Sequence, residues 1–346
     1  MALAHFSSEP KPLQTAGVLL GLLALVVAVS LFMPPALQRT VVEALIKLTV
    51  VIGLYIFVGN SGVFSFGHVA FMALGGYISA VLTIAPAKKA VALNLPPFLE
   101  ALQLPGGVAL LIAIAAAGLI ALLVALPLVR LRGIALPMAT FALLVITHVV
   151  ASNWQAVTGG RQALVGLPRY TDLWVAAAGA AVSLIVAALF GMTRHGLALR
   201  CSRENEVAAA ATGIDISRER LIAFVLSAII VAIGGVLFGH FLGTMTANTF
   251  YLDLTFVTLT MLVIGGMRSL TGACVGVALV STVSQIFRSI ERGISFGDLT
   301  ISAPAGLQEI VLAAILLAIL ILRPHGLVGD WEVTLPLAGQ DKKKEI

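Results

Sequence analysis

Long apolar runs joined by short polar connections make up most of this chain. A helix needs about 20 apolar residues to cross a bilayer, and helical pairing satisfies every backbone polar group inside one segment. Ten such runs lie at 16–35, 38–58, 64–85, 107–128, 134–152, 173–192, 221–243, 252–266, 271–288 and 305–322. The sequence therefore predicts an all-α integral membrane protein with about ten transmembrane helices, forming a single transmembrane domain over residues 1–346.

Composition excludes an ordinary soluble domain. Hydrophobic residues make up 60% and charged residues 11% of the 346 residues, whereas soluble domains carry about 25% charged residues. The basic residues are scattered through loops, so the positive net charge does not indicate nucleic acid binding. The first run has few basic residues before it and no clear cleavage site after it, which predicts an uncleaved span. Cys201 and Cys274 predict neither a disulfide nor a metal site.

One stretch concentrates charge, and we call Arg194–Arg220 the charged segment. It reads RHGLALRCSRENEVAAAATGIDISRER and carries five arginines and four acidic residues between two apolar runs. Ser202 is a candidate N-cap, the run Ala208–Ala211 favours helix, and Gly213 is a candidate stop. The segment predicts a short helix in water, placed to contact a soluble partner.

Loop charges predict the orientation. Ten spans put both termini on one side, and if that side is the cytoplasm, more lysines and arginines lie in cytoplasmic segments than outside. This predicts cytoplasmic tails at 1–15 and 324–346 and a cytoplasmic loop at 194–220. The segment Asn153–Tyr170 then lies outside, where three roles stay open: a cover for the external mouth, a dock for a delivery protein, or a plain connection.

A glycine- and serine-rich segment, GNSGVFSFGH, lies between the second and third runs. It reads either as a tight turn or as a helix broken at membrane depth, whose exposed backbone groups suit a small zwitterion where they line a cavity. On the second reading, the candidate residues of a translocation pathway are Gly59, Asn60, Ser61, Gly62, Ser65, Gly67 and His68.

Other polar residues within the spans are predicted to be structural. Lys47 follows Glu43 by four residues, a spacing that allows the two to pair. His148 and His240 have no carboxylate nearby in sequence and are expected to be satisfied core histidines. Small-residue spacings predict close helix packing at Gly17/Gly21, Gly235/Gly239/Gly243 and Gly272/Gly276.

Enzyme signatures are missing from the sequence. It has no G-x-x-x-x-G-K-[ST] phosphate loop, no H-E-x-x-H and no G-x-S-x-G, and its six histidines lack metal-ligand spacing. We therefore expect neither an enzyme nor a chain that binds a metal or cofactor of its own.

Five ordered blocks resemble a known family. They are GNSGVFSFGHVAFMALGGYISAVL, LVRLRGIALPMATFALLVITHVV with a later TGG, LRCSRENEVAAAATGIDISRERLIAFVLSAIIVAIGGVLFG, VIGGMRSLTGACVG and LRPHGLVG. Together they resemble the LivM-type permease of branched-chain amino acid ABC importers, in order from about residue 45 to 330. The resemblance implies a type II ABC importer-like permease fold in a bacterial inner membrane. It also implies a homologous permease partner forming a heterodimer, two cytoplasmic ATPases that use ATP and Mg, and an extracytoplasmic substrate-binding protein.

The resemblance also assigns residues within the charged segment. Its family counterpart holds a coupling helix that seats in the ATPase, which carries over to Arg203, Glu204, Asn205, Glu206, Ala208, Ala209 and Gly213. Val207 occupies the place of the signature's acidic residue, and Glu206 stands one residue earlier. The sequence leaves open which acid makes the main contact.

The function implied is ATP-driven import of branched-chain or related amino acids by alternating access. Urea or short amides are alternative substrates within the family. An ion-coupled secondary transporter is the alternative from a different class, and it is disfavoured because most acidic residues lie in loops or near span ends.

Overall fold

The computed structural model describes residues 12–333 except 94, 292–293, 297–298, 302–303, 305 and 324. Its helices are α1 (Pro12–Ser30), α2 (Pro35–Leu54), α3 (His68–Thr83), α4 (Pro86–Ala92), α5 (Pro97–Ala101), α6 (Gly106–Leu128), α7 (Ala135–Asn153), α8 (Gln155–Thr158), α9 (Leu173–Met192), α10 (Arg194–Glu204), α11 (Glu206–Ala211), α12 (Ile216–Leu242), α13 (Leu252–Gly265), α14 (Leu270–Glu291) and α15 (Leu307–Leu322). A π-helical turn at Tyr55–Gly59 extends α2, and a 3₁₀ turn at Ala247–Phe250 precedes α13.

Each predicted span corresponds to one helix. In the part of the chain that the structure describes, eight helices are long and apolar enough to cross a membrane, and α3 and α15 are shorter apolar helices. The prediction of an all-α membrane protein is confirmed. The apolar pattern did not predict two short antiparallel pairs, β1 (Leu164–Val165) with β2 (Thr244–Met245) and β3 (Ile294–Phe296) with β4 (Leu299–Ile301).

Glycines allow α12 to pack closely against α2 and α3 at the centre of the bundle. A Cβ on Gly235 would lie 1.9 Å from the carbonyl oxygen of Met72, and one on Gly75 would lie 2.5 Å from that of Ala232. Such contacts bring helix backbones together, and the resulting packing stabilises helices in lipid, where burial from water supplies no driving force.

The small-residue predictions have mixed outcomes. Gly276 packs on α13, because a Cβ there would lie 1.9 Å from the carbonyl oxygen of Met261. Within the part of the chain that the structure describes, the prediction for Gly17 and Gly21 is wrong, since none of its atoms lies within 4 Å of a Cβ added at either glycine. They lie on the outward face of the peripheral helix α1. Gly243 ends α12 at a φ of +75° rather than packing a helix face.

The charged segment shares one end of the bundle, which we call the charged end, with the start of α14 and residues 325–333. The N–H of Leu327 donates to the Ile264 carbonyl at 2.9 Å, and that of Val328 to the Gly265 carbonyl at 3.0 Å. The described part of the predicted tail 324–346 is therefore folded against α13 rather than extended. Helix α1 begins at Pro12, inside the predicted tail 1–15. The rest of both tails, residues 1–11 and 334–346, lies outside the described residues.

Candidate functional site

Side-chain caps divide the charged segment into two helices. Thr193 Oγ1 accepts from the N–H of Gly196 at the start of α10, and Asn205 Oδ1 accepts from the N–H of Ala208 at the start of α11. The prediction of Ser202 as N-cap is wrong, because Ser202 lies inside α10 and its hydroxyl donates to the Leu199 carbonyl. Asn205 takes that role, since its extended backbone breaks the helix and an Asn oxygen caps well.

Gly213 ends α11 as predicted. It adopts a φ of +88°. Its N–H donates to the Ala210 carbonyl, and the N–H of Ile214 reaches back to Ala209. This paired pattern is a Schellman motif, which favours glycine because a Cβ is strained at positive φ. The sequence therefore fixes both ends of this six-residue helix.

Arginines anchor α10 and α11 to the membrane helices. Arg220 of α12, whose side chain is only 4% exposed, forms an ion pair with Glu206 at the start of α11. Glu204 pairs with Arg268 in the turn before α14, and Arg268 Nε lies 3.3 Å from Asp330 Oδ1. The hydrogen bond and charge of Arg268 hold the pKa of Glu204 below its ordinary value. These contacts tie α11 to α12, and α10 to the turn before α14.

The outward face of α11 is apolar although it lies beyond the spans. Val207 is 80% exposed, and its neighbours Ala208, Ala210 and Ala211 are also exposed, while Ala209 is buried. An exposed apolar cluster rimmed by charge is typical of a protein contact surface. The position where the family signature has an acid thus carries an exposed valine.

The glycine- and serine-rich segment at residues 59–68, which we call the helix break, lies directly against the charged segment. Arg203 donates from an Nη to the Gly59 carbonyl at 2.6 Å. A Cβ on Gly62, which has a φ of +70°, would lie 2.6 Å from Cγ of Arg203. The structure thus brings Gly59 and Gly62, two of the predicted pathway residues, into contact with Arg203, one of the residues predicted to couple to the ATPase. Sequence reasoning missed this link because residues 144 positions apart carry no pairing signal.

The polar groups of the break are largely bonded within the chain. The Asn60 amide donates to the Ile56 carbonyl at 3.0 Å, and Ser65 Oγ lies 2.7 Å from His68 Nδ1. His68 is fully buried beside the rings of Phe57 and Phe224.

The remaining residues of the break complete its contacts. The hydroxyl of Ser61 accepts from the N–H of Val63. A Cβ on Gly67 would meet the backbone of Thr140 on α7. The segment is therefore a partly buried break that joins α2 to α3, with Gly62 and Phe64 exposed, and its pathway role stays a prediction.

Charged side chains also meet within the spans. Lys47 Nζ lies 2.6 Å from Glu43 Oε1 on α2, and an Nη of Arg288 on α14 lies 3.5 Å from Glu43 Oε2. The predicted pairing of Glu43 with Lys47 is confirmed. Among the described residues, no group of three or more His, Cys, Asp or Glu side chains could hold a metal ion.

Removing one member of this pair is expected to destabilise the bundle. In Glu43→Ala the ammonium of Lys47, 9% exposed, loses its carboxylate, and breaking a buried pair costs about 3–5 kcal/mol. The double variant Glu43→Ala/Lys47→Met removes both charges and should recover most of that stability. Thermal unfolding of the purified proteins in detergent checks this. Equal destabilisation of the single and double variants would contradict a role for the uncompensated charge.

Comparison with known proteins places this helical bundle among transport permeases. Residues 36–320 match the family model described as branched-chain amino acid transport system / permease component. The chain belongs to this family, whose named members are transport permease proteins rather than enzymes.

Relatives are similar over different shares of the chain. The LivM permease of Salmonella typhimurium, a high-affinity branched-chain amino acid transport system protein, is 26% identical over 85% of this chain and 70% of its own length. The probable LivM of Methanocaldococcus jannaschii is 29% identical over 42% of each chain, and the probable LivH of that organism is 27% identical over 40% of this chain. The alignment thus spans under half of either archaeal relative. The comparison with solved structures gave no significant match.

Proposed function

We propose that the chain is one permease subunit of an ATP-driven importer for branched-chain amino acids. It pairs with a homologous permease, as the two kinds of relatives, LivM and LivH, suggest. Two cytoplasmic ATPases use ATP and Mg to drive transport, and an external binding protein delivers substrate. The charged end faces the cytoplasm, with both termini on that side of the inner membrane.

The apolar outward face of α11 carries this proposal. A helix of six residues has little stability of its own, yet caps at both ends and the Glu206–Arg220 pair hold it in one position. Four exposed small apolar side chains then form a surface that fits a cleft of a soluble protein. A cytoplasmic loop that contacts no partner would not need a helix held in one position.

The anchors of α10 and α11 provide a route for mechanical coupling. Movement of the ATPases displaces α11, and the contacts of Arg203 with Gly59 and of Glu204 with Arg268 carry that displacement to the helix break and to the turn before α14. Alternating access requires contacts that differ in free energy between two states. Salt bridges at this end, which form and break with small movements, meet that requirement.

Transport by the purified assembly tests the proposal. Proteoliposomes containing the chain and its co-purifying subunits are expected to accumulate leucine only with ATP on the charged-end side, whatever the ion gradient. Uptake driven by an ion gradient without ATPases would instead indicate a secondary transporter. Competition by urea or short amides, but not by leucine, would overturn the substrate class while keeping the mechanism.

A further inference from the structure

A polar cavity of about 360 Å³ lies at the end of the bundle opposite the charged segment. Helix α12 runs 27 residues from the charged segment to Leu242, about 40 Å, and the cavity is built just beyond its end. The volume falls within the range of about 300–1,000 Å³ typical of small-molecule sites. Its polar lining residues are His148, Ser152, Asn153, Arg161, Thr246 and Asn248.

The charge in the lining of this cavity is positive only. Arg161 supplies the only full charge among the lining residues, and in the described part of the chain it forms no ion pair with an acidic residue. A guanidinium with its donors open matches a carboxylate, which it can bind through two hydrogen bonds. The cavity therefore favours a ligand that carries a carboxylate.

Neutral acceptors face the same space. The Nδ1 atom of His148 lies 3.3 Å from the Ala247 carbonyl, which can only accept; the tautomer with its hydrogen on Nδ1 makes this bond and leaves Nε2 as an acceptor. Ser152 and Asn153 are the last residues of α7, where the helix dipole is negative. An ammonium group is matched here, so the two sides of the cavity together fit a zwitterion.

Aromatic side chains lie beside the cavity and further along α7 towards the membrane centre. His148 of α7 stacks on Tyr251 at 3.8 Å between ring centroids. The ring of Phe66, from the helix break, lies edge-on to the rings of Phe141 on α7 and Phe256 on α13, with 6.2 and 6.4 Å between ring centroids. Phe141 precedes His148 by seven residues, about 10 Å along the helix. The cavity lining itself is apolar at Val149 and Ala247, which an apolar side chain of a bound ligand would contact.

We propose that this cavity is the outer binding site for a free α-amino acid with an apolar side chain. Arg161 holds the carboxylate, His148 and the end of α7 hold the ammonium, and Val149 and Ala247 contact the side chain. The inference rests on the proposed function, and it assigns the part of the path that the substrate meets first.

Protection from thiol labelling tests the site. Asn248→Cys is introduced into a chain lacking Cys201 and Cys274 and is labelled with a charged thiol reagent in nanodiscs, where no binding protein is present. L-Leucine is expected to slow labelling, while isoamylamine and 4-methylpentanoate, which each lack one charged group of leucine, protect less. Arg161→Gln should raise the leucine concentration for half-protection about tenfold or more. The matched reference is Gln103→Cys, an exposed position outside the cavity lining, where leucine should change nothing.

Three outcomes would overturn the site: no protection by leucine, equal protection of Gln103→Cys, or protection only in cells, where a docked protein could shield the cysteine. Thermal unfolding of the unsubstituted chain gives a reading independent of the cysteine. Leucine should raise its midpoint, and raise that of Arg161→Gln less at the same concentration. Intact ATP-dependent uptake without leucine protection would refute this site alone, whereas uptake that needs no ATP would refute the proposed function.

Discussion

Glu206→Arg is expected to lower ATP-dependent leucine uptake about tenfold or more while the protein still inserts into the membrane. The substitution places a second guanidinium against Arg220, which is nearly buried, and removes its carboxylate. Exposed ion pairs contribute about 0–1 kcal/mol and breaking buried ones costs about 3–5 kcal/mol. The Glu206 side chain is 42% exposed, so a loss of about 2 kcal/mol lies between these limits. Such a loss lowers the ratio of anchored to displaced α11 about thirtyfold.

A charge swap separates two roles of Glu206. If the acid serves to anchor α11, Glu206→Arg/Arg220→Glu should restore much of the uptake. If the swapped protein inserts normally and stays inactive, Glu206 acts directly on the ATPase. Arg218→Glu is the matched control, because Arg218 is exposed in the same segment and a negative charge suits the first turn of α12. Normal uptake by Glu206→Arg would contradict the assignment of this helix.

Gly235→Val is expected to prevent the bundle from folding. A Cβ at this position would lie 1.9 Å from the carbonyl oxygen of Met72 and 2.7 Å from its carbon. The obstacle is backbone, which cannot rotate away as a side chain can, so α12 and α3 would have to separate. We expect a destabilisation above about 4 kcal/mol, at the extreme of single substitutions, and little or no monodisperse protein after detergent extraction.

Gly21→Val provides the comparison for Gly235. Both glycines belong to small-residue spacings of the same kind, but among the described residues no atom lies within 4 Å of a Cβ added at Gly21. Size-exclusion profiles and unfolding midpoints should therefore be near normal for Gly21→Val. A Gly235→Ala variant as stable as the unsubstituted chain would show that α12 and α3 can relax apart and would contradict the predicted effect.

Local features of the chain were predictable because local physics fixes them. A run of apolar residues must form a helix in lipid, so the spans at 107–128 and 173–192 match α6 and α9 closely. The stop at Gly213 follows from the tolerance of glycine for positive φ. The sequence predicted the N-cap at Ser202, whereas the cap is Asn205. Both residue types cap well, and only the backbone decides which one breaks the helix.

The sequence by itself determined the class of protein, the approximate spans and the presence of a short ordered helix in the charged segment. Each follows from hydropathy or from residues adjacent in the chain. Only the tertiary structure decided that Gly235 packs while Gly21 does not, that Arg203 meets Gly59, and that Arg161 and His148 line one cavity. These depend on which helix faces which, and a pattern of period 3.6 along one helix carries no information about its neighbour.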